Sequence, residues 1–235
     1  MWRDIRLVAW KERLQTMANK EIMIGVVILP VIYGIMFPLT APMLSPDKNP
    51  ALPLLLMLVA ALISSIETVY AFAGEREANT LPTLLTTRLS DSALVLGKSL
   101  FAVTLGAISY ISTIPIYIIS YNLLARPAGS PIFIFQDNLP LLLVYLLMPM
   151  AFCLFSTSIG MLISTKIKNT KMGAGLSTLP ELPFIGLVAW VIFGNPLNIP
   201  LMLSYTIIGG GLAILGIAIF LATIGMFSRE KMVLR

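Results

Sequence analysis

Six stretches of this chain, about 22–44, 51–73, 100–124, 139–165, 172–193 and 201–227, are each long and apolar enough to cross a bilayer as a helix. A hydrocarbon core about 30 Å thick takes roughly 20 residues of helix. Inside it each backbone N–H and C=O must be satisfied within its own segment or in a closed barrel. The short alternating segments of a barrel are missing, so the spans read as helices. Apolar residues make up 57% of the chain and charged residues 11%, about half the charged share of soluble domains. The expected fold is an all-α polytopic membrane protein: one domain over 1–235, six transmembrane helices and no separate soluble domain.

The basic residues set an orientation. Arg3, Arg6, Lys11, Arg13 and Lys20 precede the first span. Arg76, Arg88 and Lys98 follow the second, Lys166, Lys168 and Lys171 follow the fourth, and Arg229, Lys231 and Arg235 follow the sixth. Only Lys48 and Arg126 fall on the other side, so the positive-inside rule predicts both termini and the 75–97 loop in the cytoplasm. The net charge of +5 is this asymmetry and implies no nucleic-acid partner. A cleavable signal peptide is not expected, because about 20 polar residues precede the first apolar run. Residues 1–20 predict an amphipathic helix in the membrane interface: Leu7, Trp10, Leu14 and Met17 recur at helical spacing, with Asp4, Lys11, Glu12 and Gln15 on other faces. Trp2 and Trp10 suit a site that is apolar for the ring and wet for the N–H. External loops are short, which excludes a large outer capture domain.

The longest polar interruption, Gly74-Glu75-Arg76-Glu77-Ala78-Asn79-Thr80-Leu81-Pro82-Thr83-Leu84-Leu85, follows the second span and is closed by Gly97-Lys98. Asn79 or Thr80 can cap a short helix, and Pro82 is tolerated in its first turn. Leu81, Leu84, Leu85 and Leu89 then share one face. Ser90-Asp91-Ser92 stops that helix and offers a cap for the next. A leucine face on a short helix needs a cover: a partner subunit, this protein's own spans or the headgroup layer.

This acid-base-acid prelude, the Thr80-Leu81 and Leu84-Leu85 pairs, and Gly97-Lys98 beyond them resemble the cytoplasmic loop of ABC type-2 transporter permeases. The likeness extends over the whole chain in the number and placement of spans. It implies a coupling helix between spans two and three that docks on a separate ATPase subunit through Glu75, Arg76, Glu77, Thr80, Leu81, Leu84, Leu85 and Arg88. It further implies an exporter in the cell membrane, built from two permease subunits, identical or paralogous, and two ATPase subunits that bind ATP and Mg. The chain departs from the pattern at Asn79, where many members carry glycine, and at Arg88-Leu89-Ser90, where Pro-Val-Ser is common. Both changes bear on the ends of the short helix. A haem-exporter-like subunit of the same family stays open.

No catalytic role is expected of the chain itself. Gly97-Lys98-Ser99 resembles the end of a phosphate-binding loop, but that motif requires glycine at position 92, which is Ser92. There is no histidine, which removes Ser–His hydrolysis, HExxH proteolysis and histidine haem ligation. Asp4, Asp47, Asp91 and Asp137 all fall outside the spans, and the single Cys153 allows no internal disulfide. No cofactor is expected in this chain.

Two carboxylates fall within spans. Glu67 stands beside Ser64, Ser65 and Thr68, and Glu181 lies between Pro180 and Pro183, which break a helix. Intramembrane acids face a bundle interior or a wet cavity. Glu67, Ser64, Thr68 and Glu181 are therefore candidates for a transport pathway or gate, the alternative being a hydrogen bond to a neighbouring helix. Ser109, Ser112, Ser156, Thr157 and Ser158 are expected to bond their own helix backbone, and Gly209-Gly210-Gly211 to permit close helix packing. Pro30, Pro38 and Pro115 imply kinks. Two rival readings stay open: an ion- or proton-coupled carrier using Glu67 and Glu181 without ATP, and a non-transporting membrane scaffold.

Overall fold

The computed structural model describes residues 1–40, 56–78, 89–126, 139–167, 169–194 and 201–226, together with 128, 129 and 132. Its regular elements are all helical. They run α1 (Trp2–Ala18), α2 (Lys20–Thr40), α3 (Met57–Glu77), α4 (Asp91–Ser120, continued by a π-helical turn Tyr121–Ala125), α5 (Leu139–Ser164), α6 (Thr170–Thr178), a 3-10 turn (Leu179–Glu181), α7 (Leu182–Gly194) and α8 (Leu201–Met226).

Five helices are long and apolar enough to cross a membrane: α2, α3, α4 with its π turn, α5 and α8. The stretch expected as a fifth continuous span is divided. Residues 170–194 form α6 and α7 around the 3-10 turn, where Pro180 and Pro183 each remove a backbone donor. One boundary also differs from expectation. Helix α3 runs through Glu77, so Glu75, Arg76 and Glu77 form its last turn rather than a loop, while α4 begins at Asp91, where its sequence offers a cap, so Gly97 and Lys98 lie inside a helix. Helix α3 extends because its charges are satisfied where it ends, as shown below. Ser90 caps α4 as its sequence suggests, its hydroxyl accepting from the Ala93 N–H at 3.2 Å.

Helix α3 is the centre, packed on α4, α5 and α6; α8 lies on α5, α2 on α4, and α1 on α4. Leu56, Met57, Tyr110, Tyr117, Phe152 and Phe155 form the main apolar core. Small residues let the backbones approach: a Cβ on Gly106 would lie 2.6 Å from the Ala60 carbonyl oxygen. In the Gly209-Gly210-Gly211 run only Gly209 faces α5, where a Cβ would lie 3.6 Å from Met148, while Cβ atoms on Gly210 and Gly211 would meet open space. The close contact of α8 is at Gly216, against Leu154 and Phe155. Helices α2 and α4 continue through Pro30, Pro38 and Pro115.

Candidate functional site

The last turn of α3 is where the chain gathers its charges. Lys98, from α4, is fully buried, with its Nζ 2.9 Å from Glu75 and 3.0 Å from Glu12 of α1. Lys11 pairs with Glu75 as well and lies 3.4 Å from Glu12. The Lys98 ammonium also donates to the Ala71 carbonyl and stands 5.2 Å from the centre of the Phe72 ring. Two ammonium groups and two carboxylates thus neutralise one another, with Lys98, Glu12 and Glu75 buried and Lys11 partly open to solvent. An unpaired charge there would carry a desolvation cost of several kcal/mol.

Gly97 explains how α1 comes close enough. A Cβ at this position would sit 2.6 Å from Val8 Cβ and 2.8 Å from the Ile5 carbonyl oxygen. Only glycine lets α1 lie directly on α4, and that contact carries Glu12 over Lys98. The buried face of α1 is Ile5, Val8, Glu12 and Thr16, recurring at three- and four-residue steps on one side of a helix.

Arg76 and Glu77 tie two further elements. The Arg76 guanidinium donates to the Ser164 and Thr165 carbonyls at 2.9 and 3.1 Å, at the end of α5, where helical carbonyls lack internal partners. Glu77 accepts from the Thr170 N–H at 3.1 Å and the Thr170 hydroxyl at 2.6 Å, at the start of α6, where N–H groups are orphaned. A cation at a helix C-terminus and an anion at an N-terminus each complement the helix dipole. The Glu75-Arg76-Glu77 triplet is therefore engaged within this chain, one side chain toward α1 and α4, one toward α5 and one toward α6. Thr80, Leu81, Leu84, Leu85 and Arg88 lie outside the described residues.

The intramembrane candidates separate into two places. Glu67 is buried and accepts a 2.6 Å hydrogen bond from the Thr16 hydroxyl of α1, so it belongs with the α1 contact. Ser64 and Thr68 beside it bond backbone carbonyls, Ser64 to Ala61 and Thr68 to Ser64. Glu181 is fully buried on the 3-10 turn. Ser65 and Ser156 stand beside it, yet neither of its oxygens completes a hydrogen bond among the described residues. The Ser156 and Thr157 hydroxyls are likewise without a partner there, whereas Ser109, Ser112 and Ser158 bond their own helix as expected.

Sequence reasoning missed Glu12, Lys11 and Thr16 as members of this site. It placed Glu12 among the polar faces of α1, away from the apolar stripe. The available signal was the spacing of Ile5 and Val8 with Glu12, a second apolar edge opposite the first. Comparison with known families gives a match to the ABC-2 type transporter model over residues 3–187. No curated protein matches the chain.

Proposed function

The chain belongs to the ABC-2 type transporter family, and on that premise we propose that it is the permease subunit of an ATP-driven exporter in the cell membrane, with both termini cytoplasmic. The family match carries the reading, because it takes in the entire polar interruption from Gly74 to Lys98. In this reading residues 170–194 are the fifth of six spans, broken at its middle. Two copies of the chain, or this chain and a paralogue, work with two separate ATPase subunits that bind ATP and Mg.

The docking helix of the proposal is the 79–88 segment, with Leu81, Leu84 and Leu85 as its contact face. Glu75, Arg76 and Glu77, which precede this segment, hold the end of α3 to α1, α4, α5 and α6, and Glu77 keeps an exposed side chain for the ATPase. Closure of the ATPases on ATP would pull this segment, and the buried charges would pass the displacement to α1 and α4 together. Glu181, at the broken helix, is the better placed of the two acids for a pathway or gate, since Glu67 is held by Thr16.

Coexpression with an ATP-binding-cassette ATPase tests the proposal. The purified chain alone should hydrolyse no ATP, and with its cognate ATPase it should yield a complex with two copies of each. Leu84→Asp with Leu85→Asp would bury charge in an apolar contact, at a cost of several kcal/mol. That variant should insert normally and lose the ATPase. An intact complex would place those leucines against lipid or the chain's own spans.

A further inference from the structure

Helix α1 is covered on one face by protein and open on the opposite one. Ile5, Val8, Glu12 and Thr16 are buried, while Leu7, Trp10, Leu14 and Met17 are each more than half exposed. The open side is also cationic. Arg3, Arg6 and Arg13 are exposed, and no carboxylate lies within ion-pair distance of any of them among the described residues. The acids of α1 are neutralised elsewhere: Asp4 lies 3.4 Å from the N-terminal ammonium, and Glu12 is held by Lys98 and Lys11.

Geometry places these cations along the apolar stripe. Arg6 and Arg13 are about two helical turns apart and share one of its edges, and Arg3 lies about one turn before Leu7. The Arg13 guanidinium stands 5.1 Å from the centre of the Trp10 ring, which holds it at the boundary between apolar and polar surface. An interfacial helix of this kind sinks its apolar stripe into the acyl boundary and leaves its cations at headgroup level. A guanidinium there recognises a phosphate through paired hydrogen bonds, and anionic lipids concentrate at such a surface.

We propose that the outward face of α1 is a seat for anionic phospholipid, with Arg6 and Arg13 on the headgroup and Leu7, Trp10, Leu14 and Met17 in the acyl boundary. The charge complementarity favours a lipid surface over an acidic protein, because the same face presents a continuous apolar stripe that a bilayer covers without a matching groove. The inference rests on α1 alone and does not depend on docking to an ATPase.

The test uses the full chain with Trp2→Phe and Trp190→Phe, leaving Trp10 as its single tryptophan. It is reconstituted in mixed phosphatidylcholine and phosphatidylglycerol vesicles, with brominated acyl chains on one lipid or the other. Brominated phosphatidylglycerol should quench Trp10 several-fold more than its mole fraction predicts. Arg6→Gln with Arg13→Gln should bring quenching down to the mole fraction, with quenching by brominated phosphatidylcholine rising to its own mole fraction and an unchanged melting temperature. High salt should weaken the selectivity of the parent in the same direction. Quenching of the parent in proportion to mole fraction would overturn the proposal. So would Trp10 shielded from both lipids, which would mean a protein covers the face, or a lower melting temperature in the arginine variant, which would make those residues part of the fold.

Discussion

Glu75 and Lys98, at opposite ends of the chain's longest polar interruption between spans, meet at 2.9 Å in a buried pocket. Helices α3 and α4 are thus joined at their base by a desolvated ion pair. Glu12 of α1 shares the same ammonium at 3.0 Å, so a helix far away in sequence is tied to that base.

Removing the shared cation should therefore cost more than removing an ordinary surface lysine. Lys98→Met leaves Glu12 and Glu75 facing each other with only Lys11 between them. The expected loss is about 3–5 kcal/mol, the usual size for breaking a buried pair. Thermal unfolding in detergent or nanodiscs measures it. Lys98→Met combined with Glu12→Gln should recover part of the loss; a melting temperature equal to the parent's in Lys98→Met alone would show that the pocket is wet or the pair absent.

Gly97 makes a steric prediction at the same contact. Gly97→Ala puts a methyl group within 3 Å of Val8 Cβ and of a backbone oxygen, so α1 must lift from α4. Overpacking of this kind costs about 1–3 kcal/mol. Amide exchange of α1 should accelerate, and Val8→Gly should partly restore protection. Unaltered protection of α1 in Gly97→Ala would contradict the close approach.

Glu67 and Thr16 give a hydrogen-bond prediction. Glu67→Gln keeps an acceptor for the Thr16 hydroxyl and should leave stability within about 1 kcal/mol of the parent, the worth of one ordinary hydrogen bond. Glu67→Ala leaves a buried hydroxyl without its acceptor and should cost about 1–3 kcal/mol. A double-mutant cycle with Thr16→Val isolates the pair. Additive effects would dissolve the proposed coupling between α1 and the depth of α3.

Glu181 is expected to behave in the opposite sense. Its carboxylate lies fully buried with no hydrogen bond completed among the described residues, and such a group is retained against a desolvation cost. Glu181→Gln should raise the melting temperature and lower transport or substrate-stimulated ATPase activity, the trade expected of a functional residue kept at the expense of stability. A stabilised variant with full transport would make the carboxylate dispensable and remove it from the pathway.

Orientation is checked separately from all of these. With cysteine introduced singly, positions 48 and 130 should label from outside intact cells, and positions 88 and 168 only after permeabilisation. Reversed labelling at 88 would place the proposed docking segment on the wrong side for an ATPase.

The sequence by itself determined what a bilayer imposes. Apolar length marks the five membrane-length helices and the divided fifth stretch, because hydrocarbon tolerates no unsatisfied backbone and leaves little choice of structure. Local chemistry also reads directly: Ser90 caps α4, Pro180 and Pro183 interrupt the fifth stretch, and Leu7, Trp10, Leu14 and Met17 mark the open face of α1. Tertiary structure alone decided where each charge goes. A glutamate beside a span is satisfied equally well by water, by a partner subunit or by a lysine elsewhere in the chain, and nothing local distinguishes these. Only the packing of α1 on Gly97 brings Glu12 to Lys98, and only the ends of α5 and α6 show Arg76 and Glu77 their partners. Hydropathy acts residue by residue along the chain, whereas an ion pair exists only once two distant helices have been brought together.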